Sequence, residues 1–140
     1  MPTAQDLNAG MLIVLNDTLC RVTEVTTVRQ GKHGQAKYNV AAKSVRTGDD
    51  VGPELAAGTK EYAPGSVEEA RYQIFGVDDE GKLSLMTEDG EEESVTVDDE
   101  ELLATIRPKM EAGDDVFCIL CTCVVDGAQL GDKFVKGISE

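Results

Sequence analysis

Lys32 stands between Gly31 and Gly34 and next to His33, the only histidine of the chain, in the run Val28–Tyr38. A lysine amine offers two kinds of chemistry. As an ammonium it is a cation for phosphate; once deprotonated it is a nucleophile. Gly31 and Gly34 take positive φ at little cost, so the chain can reverse there and leave Lys32 at the tip. No apolar neighbour in this run would bury the ammonium. The low pKa that a lysine needs to run its own chemistry is therefore not provided. Taken alone, the stretch is a solvated hairpin turn that carries charge.

The other reactive residue types are less organised. Cys118, Cys121 and Cys123 are closely spaced, but on a strand Cys118 points opposite to Cys121 and Cys123. A second pair of ligands is also missing, so a zinc site is not expected. These three and Cys20 are expected as buried core thiols. No dinucleotide fingerprint, phosphate-binding Walker loop or nucleophile-elbow pattern occurs, and His33 has no cysteine or serine near it to activate. The expectation is a protein that is not an enzyme, without catalytic residues, metal or cofactor.

Net charge is −14 over 140 residues, which by itself argues against nucleic acid. The charge is uneven. Residues 1–66 hold seven basic and seven acidic residues, whereas residues 67–140 hold six and twenty. Within Cys20–Arg46 the basic residues Arg21, Arg29, Lys32, Lys37, Lys43 and Arg46 face Glu24 alone. One positive patch that can meet phosphate is thus expected on an acidic chain. The N-terminus has no basic leader, and the apolar run Met11–Leu15 is too short to span a membrane. A cytoplasmic chain without membrane insertion is expected, in a reducing compartment.

The elements that would hold Lys32 are short strands. Met11–Leu15, Leu19–Thr26 and Tyr38–Val45 read as strands, with turns at Asn16-Asp17 and Arg46–Asp50. Their alternation is loose, as in a small closed barrel. Val51–Tyr62 reads weakly, with a closing strand expected in its last residues. Ala63-Pro64-Gly65-Ser66 is the expected boundary, with Gly65 adding freedom and the two domains moving about it. In the second half Tyr72–Val77, Leu83–Met86 and Glu93–Val97 read as strands. Asp98 with Glu101 is a capping-box pattern, and Val97 with Leu102 fits a hydrophobic staple. Leu102, Ile106 and Met110 then form one helical face beside Leu103. Pro108 predicts a kink or an end near Arg107. Asp115–Val125 is a strong strand. Three strands, a helix and a strand follow the order of an OB-fold. The tail from Asp126 allows either a short helix through Leu130, Phe134 and Val135 or a last strand at Phe134-Val135.

The run Gly31-Lys32-His33-Gly34-Gln35-Ala36-Lys37 resembles the lysine loop of the eukaryotic and archaeal translation initiation factor 5A family, whose bacterial counterpart is elongation factor P. Asn8-Ala9-Gly10-Met11 and Leu19-Cys20-Arg21-Val22 resemble that family's first hairpin. Tyr72-Gln73-Ile74 and Leu83-Ser84-Leu85-Met86 resemble its C-terminal domain. The resemblance implies a mainly β fold, with an SH3-like (KOW-type) domain over residues 1–65 and an OB-fold domain with one helix over residues 66–140. It implies that Lys32 is the lysine converted to hypusine by deoxyhypusine synthase and deoxyhypusine hydroxylase. It also implies that Arg29, Gly31, His33, Gly34 and Lys37 shape the loop and contact RNA. The implied function is ribosome binding, with modified Lys32 beside the end of the peptidyl-tRNA promoting peptide-bond formation in elongation and termination. Against the family pattern, Gln30 stands where Thr, Ser or Pro is usual, Gln35 where His is frequent, Leu19 where Pro is common, and Pro108 lies within the helix. The competing account is a two-barrel RNA-binding module whose lysine is never modified.

Overall fold

The computed structural model describes residues 1–29 and 36–139. Two compact units emerge. The first comprises Met1–Ser66 with Cys123–Gly131, the second Val67–Thr122 with the chain from Asp132 onward.

The first unit is built on an antiparallel meander: β1 (Leu12–Leu15), β2 (Thr18–Arg29), β3 (Ala36–Ser44) and β4 (Asp50–Ala57), paired in that order. Asn16 and Asp17 both take left-handed φ (52° and 59°), the geometry that two-residue hairpins require. Past β4 the chain returns to β1. Ala63 O accepts from Val14 N at 2.9 Å, and Pro64 bridges Ile13. The sheet thereby curls into a small barrel around Ile13, Leu15, Cys20, Val22, Val40, Ala42, Ala56 and Tyr62. The loose alternation of β2 has a local cause. Its register against β3 slips between Val22 and Glu24, so buried parity changes partway along the strand.

Two expectations for this unit are corrected. The strand within residues 51–62 lies at the front of that stretch, as β4, and its last residues only make isolated bridges such as Thr3 to Glu61. Gly65 does not serve as a source of freedom. It donates to Leu12 O at 3.3 Å, and a Cβ there would lie 2.5 Å from Leu19 Cδ1 and 3.1 Å from Val124 O. Close approach, not positive φ, requires glycine at this position.

The second unit is built on a curled antiparallel sheet of β5 (Ser66–Val77), β6 (Lys82–Met86), β7 (Glu92–Thr96), β8 (Val116–Val125) and β10 (Phe134–Ser139), with α1 (Glu100–Glu111) between β7 and β8. The last residues of β8 and the short β9 (Ala128–Gln129) are grouped with the first unit. The main order is β10-β8-β5-β6-β7, with β9 folded back on β8. β10 also comes near β7, so the curl of the sheet brings its two edges toward each other. Its core holds Ile74, Leu83, Leu85, Ile106, Cys118 and Leu120, with Leu102, Leu103 and Met110 packed against it from the helix. The expected helical face is therefore the one that meets the sheet. Of the two options for the tail, the strand is the one adopted.

The helix ends differ from expectation. Asp99 is the N-cap, not Asp98, and its carboxylate accepts from Glu101 N at 3.0 Å and Leu102 N at 3.3 Å. Pro108 does not end the helix, which runs on to Glu111. The bond that Pro108 removes would have used the Ala104 carbonyl. Both residues lie on the exposed side, where water can satisfy that oxygen.

Candidate functional site

The residues singled out by the sequence sit at and between the ends of β2 and β3. The ladder between these strands runs without further slips from Val25–Val40 through Thr27–Tyr38 and Val28–Lys37 to Arg29–Ala36. Arg29 is the last residue of β2, and its backbone is paired. Gly31, Lys32, His33 and Gly34 lie outside the described residues, as do Gln30 and Gln35. Lys37 is flanked on both sides, opposite Val28 on β2 and Ala57 on β4, and is half-buried. Tyr38, next to it, packs against the barrel core. The two strands therefore bring Arg29 and Lys37 to the same end of the sheet and anchor it to the barrel through a cross-strand ladder.

The described basic residues do not make one patch. Lys37 and Lys43 share a face of β3 but are six residues apart, about 20 Å along the strand. Arg21 pairs with Lys43 at the far end, where Arg21 Nη1 reaches Gly10 O at 3.5 Å. Lys43 Nζ lies 3.9 Å from Asp50 Oδ1, an exposed pair of little energetic weight. Arg46 lies near enough to Cys123 to oppose the rise in that thiol's pKa. The excess of cations counted in the sequence is thus distributed along the length of β2 and β3, with only Arg29 and Lys37 of the described residues at the loop end.

The thiols are all buried. Burial, with the neighbouring Cys121 adding to it, pushes Cys118 up to about 11, and burial also raises Cys20 and Cys123. Cys20, Cys118 and Cys123 are thus protonated, weakly reactive core groups at neutral pH. Among the described residues no cluster of three or more His, Cys, Asp or Glu side chains is arranged to hold a metal ion. No described helix is long and apolar enough to cross a membrane.

Sequence reasoning missed two groupings. One is Glu54, Lys60 and Tyr62 behind β4, where Tyr62 Oη donates to Glu54 Oε2 at 2.7 Å and Lys60 Nζ donates to Glu54 Oε1. The other is a groove on β5, β6 and β8, lined by Arg71, Gln73, Met86 and Phe117. Neither has a spacing that announces it, because both are assembled across strands.

Comparison with known proteins bears on the whole chain. A family model described as eukaryotic elongation factor 5A hypusine, DNA-binding OB fold, matches residues 66–124. A second, translation initiation factor 5A-like, N-terminal, matches residues 2–54. The chain is 28% identical over 128 residues to eukaryotic translation initiation factor 5A-2 of Saccharomyces cerevisiae, covering 91% of this chain and 80% of that protein. It is 29% identical over 139 residues to eukaryotic translation initiation factor 5A-1 of Solanum lycopersicum, covering 98% and 83%. In fold it is similar to a translation initiation factor eif-5a family protein from Naegleria fowleri, with a TM-score of 0.74, 24% identity and coverage of 99% and 96%. It is also similar to the factor from Methanococcus jannaschii, with a TM-score of 0.64, 13% identity and coverage of 98% and 92%. With both halves matched in order by models of one group, and relatives aligned over nearly the full length, this chain belongs to the translation initiation factor 5A family.

Proposed function

We propose that this translation factor binds the ribosome and works through hypusine formed on Lys32. The reading is supported by the β2–β3 ladder, which ends on the pair Arg29–Ala36 directly before and after residues 30–35. A lysine carried between two paired strands is a short tether on a rigid base, suited to presenting a long cationic arm. In the modification, Lys32 Nζ gives up a proton and forms a bond to the butyl carbon of spermidine. The bond from that carbon to the secondary amine breaks, and 1,3-diaminopropane leaves. The hydroxylase then converts one C–H of the new arm to C–OH. One atom of dioxygen enters the arm and the other leaves as water, at the expense of two electrons from a reductant. The arm carries an extra amine and longer reach, so it can meet phosphates and hydroxyls at the end of a peptidyl-tRNA where a folded domain cannot enter. Its action is positioning of the reacting ends. Arg29 and Lys37 supply nearby positive charge, and Gly31, His33 and Gly34 shape the loop.

Lys32→Arg tests this. A guanidinium keeps the charge but is not a nucleophile near neutral pH. The variant is expected to fold as the parent does, to gain no aminobutyl mass with deoxyhypusine synthase, spermidine and NAD, and to lose stimulation of peptide synthesis through proline runs. Lys37→Arg should be modified and active like the parent. Aminobutyl addition to Lys32→Arg, or full activity of the unmodified parent, would favour an RNA-binding module with an unmodified lysine.

A further inference from the structure

The second unit carries a surface that the lysine-loop reading leaves unused. It is a groove of about 350 Å³ lined by Arg71, Gln73, Met86, Thr87, Glu88 and Phe117. Gln73 pairs with Met86, and β8 lies beside β5, so the groove runs across the outer face of β6, β5 and β8. The intervening residues Tyr72, Ile74 and Leu85 point the other way, into the core. Its lining is mixed, with Met86 and Phe117 apolar and Arg71, Gln73, Thr87 and Glu88 polar or charged. The Arg71 guanidinium lies 3.9 Å from the centroid of the Phe117 ring, which ties that cation to the ring. Beside it is Phe75. The register of β5 against β6 slips between Ile74 and Gly76, so Phe75 is the extra residue of a bulge, and 51% of it is exposed. A bulge is a means of re-aiming a side chain, and here it turns a large ring toward solvent.

The rim supplies the chemistry. Met86 and Thr87 lead into the β6–β7 turn, which holds Glu88, Asp89 and Glu91, with Glu92 the first residue of β7. Lys133 Nζ holds Glu93 at 3.3 Å, but none of those four carboxylates has an ion-pair partner among the described residues. Glu88 on the groove, with Asp89, Glu91 and Glu92 close to it in sequence, gives a local negative charge that repels a phosphate backbone and attracts cations. We propose that this face docks an extended basic segment of a partner protein. An apolar side chain fills the groove against Phe75 and Phe117, and lysines or arginines meet the turn at residues 88–92. This proposal stands independently of any modification of Lys32.

The test uses the full chain and a short synthetic peptide of lysines and arginines interrupted by leucine, followed by fluorescence anisotropy and amide chemical shifts. The peptide is expected to bind and to move the amides of Phe75, Thr87 and Phe117. Glu88→Lys combined with Asp89→Lys should weaken binding about tenfold, and Phe75→Ser should do the same, since a central anchor and its charged rim carry most of such an interface. Glu80→Lys combined with Glu111→Lys makes the same change of net charge at the opposite end of the β5–β6 hairpin and should alter affinity less than about twofold. All these positions are exposed, and unchanged far-ultraviolet circular dichroism confirms the fold. Three results would overturn the proposal: no binding of the peptide, equal losses for the two charge-reversed pairs, or an oligouridylate that shifts these amides where the peptide does not.

Discussion

The Tyr62 hydroxyl and Glu54 Oε2, 2.7 Å apart, make the first unit respond to pH at both ends of the scale. For Glu54, burial pushes the carboxyl up, but the hydrogen bonds from Lys60 and Tyr62 and the Lys60 charge together outweigh it and hold the pKa below its ordinary 4.5. The stability this contributes is complete above 4.5 and is lost as pH falls through the lowered value. For Tyr62, burial and then the hydrogen bond to Glu54 and its charge raise the phenol well above its ordinary 10.0. That contribution is present below 10.0 and is lost as pH rises beyond it. Tyr62→Phe should therefore cost about 1 kcal/mol at neutral pH and flatten the alkaline loss, while Glu54→Gln flattens the acid one. Urea denaturation at pH 7, below 4.5 and above 10 checks both. Equal alkaline losses in parent and Tyr62→Phe would show that the pair is not the source. At this scale the sequence made Lys32 and its glycines visible because loop chemistry is local in sequence. The Glu54–Tyr62 pair was not visible, since it forms where an irregular segment turns back over a strand.

At the scale of elements, glycine separates two costs that sequence alone merges. Gly81 and Gly90 both close hairpins with positive φ, 86° and 87°. A Cβ on Gly81 would lie 2.6 Å from Val97 O and 3.1 Å from Leu103 Cδ1, whereas one on Gly90 meets nothing within 4 Å. The Gly81 carbonyl also accepts from Val97 N at 2.9 Å, so the turn cannot move away without breaking its link to the segment that enters α1. Gly90→Ala should cost about 1 kcal/mol for the backbone conformation alone. Gly81→Ala should cost more, on the order of 3 kcal/mol, because the carbonyl must also shift. Thermal melting of the two variants decides this, and equal shifts would remove the role assigned to Val97. The strand and helix order of the second unit was legible because its periodicity changes once, from two to near four. Ends were less legible. Asp98 and Asp99 are alike to any pattern, and only the carboxylate at Asp99 reaches the free amides. A proline such as Pro108 breaks a helix or does not according to whether the carbonyl it orphans faces water.

For the whole molecule, chain order and spatial grouping part company at residues 123–131, which group with Met1–Ser66. Gly65 shows how. The space over its Cα is bounded by Leu19, Val124 O and Val125 Cγ2, and Leu19 is 2% exposed even though the neighbouring Cys20, on the opposite side of β2, is also buried. Val125→Ser should lower the stability of this unit by about 1–2 kcal/mol. It should speed hydrogen exchange at Val14 and Gly65, whose amides bond to Ala63 O and Leu12 O. Faster exchange confined to β5 and β6 would contradict that grouping. The charge shift and Pro64-Gly65 were legible as a break in composition, but a return of the chain after an excursion of 56 residues, Val67–Thr122, leaves no mark in local pattern.

That return sets an order of events during synthesis. A polypeptide leaves its ribosome from the N-terminus, and domains ordinarily settle one after another as they emerge. Here the first unit needs Cys123–Gly131 to cover Leu19 and Gly65, so its final packing waits until β5, β6, β7 and α1 of the second have been made. The unit that bears Lys32 is begun before the second and completed only after most of the second has been synthesised.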